Sequence, residues 1–311
     1  MALEPYSLGE LTQRIKNEFG ISDADTTQDD LIADKINEAV ALIVRRRPNW
    51  PWQRKVINLD VADAVTGTCT ATQGSRTISS VSLTTGSLAA RDVVIFGSSI
   101  DPASVYMISA TSGTSATLEH QFLNATGTSK ALTKKTGFIQ LPEDFLRMDT
   151  AAPVEDLTLL NRFEFTPLTG WEHLRRDSYR PSNEHWYTVG PDPIRSNERM
   201  YMYIYPPLDD LQVLRGSYFA DPQRLQDSVD VPMMPRNDRP AVLYYAMNLY
   251  AITRSDDRAN LYYTMAEKEM TNMLLRYELS DDEPLRTPAR WQQPYVDVTT
   301  DPGAPDYVAG S

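Results

Sequence analysis

The sequence predicts an α+β fold: a helical bundle of two N-terminal and two C-terminal helices with β-strand elements, an inserted small all-β domain and an extended C-terminal tail. Three observations lead to this prediction. Apolar residues recur at helical spacing near both ends of the chain. The middle is rich in Thr, Ser, Gly and β-branched residues, with turn signals every 8–12 residues or so, roughly the spacing of a small β domain. The last segment is rich in proline and has no periodicity.

Two amphipathic helices are predicted near the N-terminus. Ser7 and Glu10 make up a capping box, in which the Ser7 hydroxyl accepts from the Glu10 amide and the Glu10 carboxylate reaches back. In the second helix, Asp29 and Asp30 place negative charge at the positive end of the helix dipole. The apolar stripes of the two helices are Leu8, Leu11, Ile15 and Phe19, and then Leu31, Ile32, Ile36, Val40 and Ile43.

A basic turn and an aromatic corner follow the second helix. Arg45, Arg46 and Arg47 put cations at the negative end of its dipole, and this role with salt bridges is favoured over the alternative of a phosphate-binding patch. Trp50-Pro51-Trp52 then forms a rigid aromatic corner, which we expect to pack under the helical layer. Lys55–Val61 alternates weakly and predicts a strand.

A small all-β sandwich or barrel is predicted for residues 64–137. Because strands are expected directly before and after this segment, we interpret it as an insertion at a hairpin tip, where chain ends lie close together. Its predicted strands are Thr77–Leu83, Asp92–Phe96, Val105–Ala110 and Ala116–Leu118. The expected domains are therefore an adaptor-like core of residues 1–63 and 138–279, the insert of residues 64–137, and a C-terminal arm of residues 280–311.

The core resumes with a strand at Phe138–Leu141 and a loop-rich stretch, before two further strands. The first of these, Tyr201–Tyr205, is expected to end at Pro206-Pro207. The second runs from Leu211 to Phe219. A short helix at Trp171–Arg176 and a strand at His185–Val189 are expected within the loop-rich part.

Two C-terminal helices complete the predicted bundle. The first runs from about Pro240 to Arg254, capped by Asn237 or Asp238, and is apolar nearly all round, so it should be deeply buried. The second follows a cap at Asp256-Asp257. Its predicted inner face is Leu261, Met265, Met273, Leu274 and Tyr277. The methionines of this helix are interpreted as core filling.

The charge balance argues against a protein that grips DNA. Thirty Lys and Arg against 42 Asp and Glu give a net charge of −12. Tight DNA binding normally needs a basic surface that neutralises phosphates. An acidic wall instead repels the duplex and lets it slide past.

No catalytic, metal or cofactor site is predicted. One cysteine, Cys69, and three histidines offer neither an internal disulfide nor a zinc or iron site. The sequence has no Gly-rich phosphate loop, His-Glu-x-x-His motif or nucleophile elbow. Ala39–Val44, the longest apolar run, is too short to span a bilayer, and the N-terminus does not read as a signal peptide. We therefore expect no enzyme activity and no membrane contact.

The chain resembles the head-to-tail adaptor (neck) proteins of tailed bacteriophages, a portal-adaptor family that includes the tail-tubular-A-like proteins. The resemblance lies in the order of five groups of residues. They are the two N-terminal helices, Trp50-Pro51-Trp52, Leu141–Arg147, Tyr203–Pro207, and Val231–Pro235 leading into the long helix pair.

This resemblance implies a structural protein of the virion neck that is assembled in the host cytoplasm. It implies a ring, expected to be a dodecamer, that lies under the portal protein, extends the DNA channel and docks downstream tail or nozzle proteins. Genomic DNA would pass through the ring during ejection without specific binding. The residues expected to bind the portal are Arg286, Arg290, Trp291, Tyr295 and Tyr307 of the arm. The candidates for a subunit interface or channel collar are Arg45, Arg46, Arg47, Trp50 and Trp52.

Two other functions remain as alternatives. The first is a virion-surface binding module, in which the β-insert recognises a glycan or a neighbouring coat or tail protein. The second is an enzyme such as a cell-wall hydrolase, which would need a carboxylate of raised pKa in a cleft. The sequence offers no pair of carboxylates for that role, and the enzyme is the least favoured of the three.

Overall fold

A computed structural model of the chain describes residues 5–47, 49–97, 105–158, 161–176, 185–194 and 199–281. The chain divides into two compact units. One, the helical unit, comprises Met1–Arg47 with Leu225–Ser311, and the other, the β unit, comprises Pro48–Arg224.

Five α-helices and thirteen strands occur in the described ranges. The helices are α1 (Leu8–Glu18), α2 (Asp29–Arg46), α3 (Leu168–Arg176), α4 (Arg239–Thr253) and α5 (Ala259–Asp281). The first strands are β1 (Arg54–Val61), β2 (Val65–Ala71), β3 (Thr77–Leu83), β4 (Val93–Phe96), β5 (Val105–Ser112), β6 (Ser115–Leu118) and β7 (Gly127–Gln140). The remaining strands are β8 (Phe145–Met148), β9 (Val154–Asp156), β10 (Arg162–Phe165), β11 (His185–Pro191), β12 (Met200–Leu208) and β13 (Gln212–Ala220).

The predicted fold class is wrong, because the chain is mostly β. A closed six-stranded barrel and seven further strands outweigh the five helices. The error has two physical sources. Strands β8, β9 and β10 have only three or four residues each, too few to show a period of two, and they depend on neighbouring strands for their pairing. The barrel also shares a strand with the rest of the β unit, so it is not a small separate insert.

In the helical unit, α4 lies at the centre and packs against α1, α2 and α5. Every residue from Ala241 to Ala251 is buried except Tyr244 and Leu249, which are partly exposed. This burial explains why the helix is apolar all round. The Phe19 ring at the end of α1 lies 5.0 Å from the Tyr250 ring of α4, centroid to centroid. Aromatic packing therefore joins the first helix to the central one.

The β unit contains a continuous sheet in the order β1-β13-β9-β10-β11-β12-β7, and β8 pairs beside β13. All of its pairings are antiparallel except that of β10 with β11. The expectation that Pro206-Pro207 ends a strand is wrong, because β12 continues to Leu208. The prolines are tolerated because the register of β12 on β7 shifts between Tyr203 and Leu208, where the ladder is irregular.

The barrel closes in the order β2-β3-β6-β5-β4-β7 and back to β2. Four of its strands are the predicted ones with a shift of two residues or fewer at each end, as in β3 at Thr77–Leu83. Closure leaves no open edge, and the inward-facing side chains form one core. That core consists of Cys69, Ala71, Ile78, Leu88, Val94, Phe96, Tyr106, Ile108, Ala116, Leu118, Phe122 and Leu132.

Strand β7 ties the barrel to the sheet. Its 14 residues pair with β2 and β4 in the barrel and, from Thr136 onward, with β12 in the sheet. A buried ion pair reinforces the junction. Arg91 Nε in the barrel donates to Asp192 Oδ1 just after β11 over 2.9 Å, and the Asp192 side chain is fully buried. The barrel is therefore built into the β unit by a shared strand and a shared charge pair.

Candidate interaction surfaces

The outer side of α5 is exposed although it carries large apolar side chains. Tyr262, Ala266, Met270 and Met273 form the buried row of this helix. The opposite side carries a row that we call the outer seam, and its members are Leu261, Met265, Lys268, Asn272 and Leu275.

The prediction that Leu261 and Met265 belong to the inner face is wrong, because their exposed fractions are 57% and 37%. Leu275, further along the same side, is 52% exposed. The core-filling role expected for the methionines is confirmed for Met270 and Met273 only. The sequence does contain a signal for this exposed row. Its residues are spaced by four, three, four and three positions, whereas those of the buried row are spaced by four, four and three.

The C-terminal end of α5 is clamped to the start of α4. Asp238, the residue before α4, is buried, and its carboxylate accepts from the Arg276 guanidinium and from the Tyr277 hydroxyl. The pKa of Tyr277 is raised, mainly because the phenol is buried and also because it donates a hydrogen bond to Asp238. Asp238 was predicted as a possible cap, but its side chain makes no capping hydrogen bond. It holds instead the last described turns of α5, close to where the C-terminal arm begins.

The three arginines at the end of α2 have different surroundings. Arg46 pairs with Glu267 of α5 over 2.7 Å, and this neighbouring carboxylate raises the pKa of the guanidinium. Tyr245 of α4 donates to the same carboxylate over 2.8 Å. Arg47 is half-buried, whereas Arg45 is exposed and has no ion pair in the described part of the chain. The salt-bridge role therefore holds for Arg46, and Arg45 presents its charge to solvent.

The Trp50-Pro51-Trp52 corner leads into one turn of 3₁₀ helix, Pro51–Gln53, and the centroids of its two stacked indoles lie 5.9 Å apart. Trp50 is fully buried and Trp52 is partly exposed. The adjacent Gln53 is also buried and donates from Nε2 to the Ala220 carbonyl over 3.0 Å. This bond fixes the corner to the end of β13, so the corner is a rigid part of the β unit.

The predicted portal-binding residues lie outside the part of the chain that the structure describes. They are Arg286, Arg290, Trp291, Tyr295 and Tyr307. Their role stays a prediction from the sequence.

A cleft of about 450 Å³ lies on the barrel. Its lining comprises Phe96, Gly97, Phe122, Asn124, Ala125, Lys130 and Ala131. The Lys130 ammonium lies 5.8 Å from the centroid of the Phe122 ring. Both phenylalanines are buried in the barrel core, so they present little ring surface to a ligand.

Signs of chemistry are few in the described ranges. No three His, Cys, Asp or Glu side chains group there closely enough to hold a metal ion. Cys69 is buried in the barrel, and burial raises the pKa of its thiol to about 11, so it is a poor nucleophile. None of the described helices combines the length and the apolar character that crossing a bilayer requires.

A comparison with known protein families identifies the family of this chain. The family model of the SU10 adaptor protein matches residues 115–294, more than half of the chain. The match runs from β6 through α5 and beyond. No curated protein matches the chain. The resemblance to phage adaptors is confirmed at the level of the family, which indicates a structural protein of the virion. The chain belongs to the SU10 adaptor protein family, a family of phage adaptors.

Proposed function

We propose that the chain is a head-to-tail adaptor of a tailed phage, in the manner of the tail-tubular-A-like proteins. Copies of it form a ring, a dodecamer by analogy with the family, under the portal protein in the virion neck. The ring extends the DNA channel and docks tail or nozzle proteins, and the genome passes through it during ejection. Assembly takes place in the host cytoplasm.

The observation that carries this proposal is the family match over residues 115–294, which includes the whole α4–α5 pair. The charge of the chain agrees with a channel wall. A net charge of −12 disfavours a grip on phosphates and allows the duplex to slide.

The proposed portal contact is the C-terminal arm, residues 280–311, with Trp291, Tyr295 and Tyr307 as aromatic anchors and Arg286 and Arg290 beside them. The Asp238 clamp supports this assignment, because it holds the end of α5 from which the arm departs. An arm that starts from a fixed point loses less conformational freedom on docking than one on a loose helix. Twelve arms in one ring would add their binding through avidity.

For the collar we propose Arg45 as the exposed contact, with Arg46 and Arg47 beside it. Trp52 of the rigid corner in the β unit is a separate proposed contact, and Trp50, which has no exposed surface of its own in the subunit, would act by supporting the stacked Trp52 ring. A glycan-binding role for the barrel has less support, because the aromatic rings of its cleft are buried.

The test is electron microscopy of the full chain mixed with the portal protein of the same phage. We expect a ring of the chain beneath the portal. Replacing Trp291, Tyr295 and Tyr307 together by alanine should abolish attachment, because the aromatic anchors carry most of the binding energy.

The matched control lies in the same arm. Replacing Asp297, Asp301 and Asp306 together by asparagine removes charge and leaves the aromatic side chains, so the ring should still attach. Free subunits beside an empty portal, or equal attachment of both triple variants, would count against the proposal.

A further inference from the structure

The outer seam of α5 has the spacing of a coiled-coil interface. Leu261, Met265, Lys268, Asn272 and Leu275 follow each other at four, three, four and three residues, an average of 3.5 per turn. All five side chains are exposed, and the buried row of the same helix lies on its other side. A helix that packs against its own core on one side and carries three large apolar side chains at coiled-coil positions on another side offers a surface for a second helix.

We propose that the outer seam is a self-association surface, on which α5 of one subunit packs antiparallel against α5 of a second copy of this chain. The two-fold axis passes midway between Lys268 and Asn272 of the outer seam. Met265 then faces Leu275 of the partner subunit, and Lys268 faces Asn272 of the partner subunit. Four layers result, in which each apolar side chain meets an apolar one and each polar side chain meets a polar one, and Leu261 lies outside them.

The two central layers, formed by Lys268 and Asn272, determine which partner binds and in which direction. Neither Lys268 nor Asn272 makes a side-chain hydrogen bond or ion pair within the described residues, so both are available. In the antiparallel register the Lys268 ammonium donates to the amide oxygen of Asn272 of the partner subunit, twice across the axis. In a parallel register Lys268 would face Lys268 of the partner subunit, and the like charges would repel. Polar residues at such positions are known to fix register and direction at some cost in stability.

The surface is small, so the association is weak. Each copy contributes two large apolar side chains, Met265 and Leu275, to these layers, which places the contact at the low end of specific interfaces. A two-fold contact closes at two copies and cannot propagate around a ring. The antiparallel dimer is therefore a state of the free subunit that opens before any ring forms. It is independent of the portal contact proposed above.

The first test is sedimentation velocity of the full chain, without portal, from about 10 to about 500 µM, a range that brackets weak association. We expect a concentration-dependent shift from monomer to dimer. Leu275→Glu should weaken the dimer by about tenfold or more, because it puts a charge in both apolar layers that Leu275 forms with Met265 of the partner subunit. Ile252→Glu is the matched control, because Ile252 is 59% exposed on α4 and does not belong to the seam. It should leave the dimer unchanged, and far-ultraviolet circular dichroism checks that both variants fold.

The second test reports direction. Met265→Cys and Leu275→Cys proteins are mixed and treated with a short bismaleimide, with the buried Cys69 as the background thiol. The antiparallel register predicts a cross-linked heterodimer from the mixture and little product from either variant alone. A parallel pair would instead cross-link Leu275→Cys to itself.

Three results would overturn the proposal. They are a monomer at every concentration, equal weakening by Ile252→Glu, and self-cross-linking of Leu275→Cys. Since all of these measurements are made without portal, none of them bears on whether the ring forms.

Discussion

A single buried charge pair shows how individual residues hold the β unit together. Asp192 accepts from Arg91 Nε at 2.9 Å and also from the Ile194 amide at 3.0 Å. The Arg91 guanidinium lies 5.0 Å from the centroid of the Tyr201 ring. One carboxylate thus connects the barrel, the loop after β11 and the aromatic side of β12. Breaking such a pair leaves an uncompensated charge in a place with little water.

We therefore expect Asp192→Asn to reduce the free energy of unfolding by roughly 2–3 kcal/mol, since Arg91 loses its buried counter-charge. Urea unfolding of the full chain followed by tryptophan fluorescence measures this. The control is Glu143→Gln, which removes the partner of Arg199 at 2.9 Å in a pair whose side chains are 79% and 50% exposed. An exposed pair contributes little, so this change should stay within about 0.5 kcal/mol. Equal losses for both variants would contradict a structural role for the buried pair.

Among the elements, β7 determines the architecture of the β unit, and Gly137 on this strand lies close to Val93 of β4. A Cβ added there would lie 2.5 Å from Val93 Cγ2, and Val93 is buried in β4. Glycine is therefore required by the close approach of the two strands.

Gly137→Ala should destabilise the chain by about 1–3 kcal/mol, because Val93 is branched at Cβ and has little room to move away. Val93→Ala removes the clashing methyl groups. The double variant should consequently lose less than the sum of the two single losses, by about 0.5–3 kcal/mol of coupling. Chemical unfolding of the wild type and the three variants gives the double-mutant cycle. If the losses in the free energy of unfolding simply add, the added Cβ does not clash with Val93.

The elements that the sequence predicts well are those whose signals are local. The capping box of α1 forms, with the Glu10 amide donating to Ser7 Oγ over 3.3 Å. The Glu10 carboxylate reaches past Ser7 to the Tyr6 amide. Elements that depend on distant partners were missed or misread. The predicted end of β12 at Pro206-Pro207 is wrong because these prolines lie where the pairing of β12 with β7 is irregular, and that irregularity depends on the fold. The prediction that Leu261 and Met265 face the core is wrong because the exposed and buried sides of α5 both carry apolar residues.

For the whole molecule, the buried tyrosines set the response to alkaline pH. Burial is the largest cause in each case, and it raises the pKa of Tyr187, Tyr203, Tyr218 and Tyr262 to about 12. Nearby carboxylates add to the effect, as Asp144 does by accepting from the Tyr218 hydroxyl over 2.9 Å. Three of these residues lie in the β unit and Tyr262 lies in α5, so both units carry such groups.

An unfolded tyrosine has a pKa of about 10, so the unfolded chain releases these protons at lower pH than the folded one. The stability that the neutral phenols contribute is complete below about pH 10 and is lost as pH rises from about 10 toward 12. We expect the free energy of unfolding to fall over this window. Ultraviolet absorbance of tyrosinate should rise in two stages, the second coinciding with the loss of circular dichroism. Tyr187→Phe should reduce the pH slope by about one proton. A single ionisation step near pH 10 with the circular dichroism unchanged would show that these phenols are accessible in the folded protein.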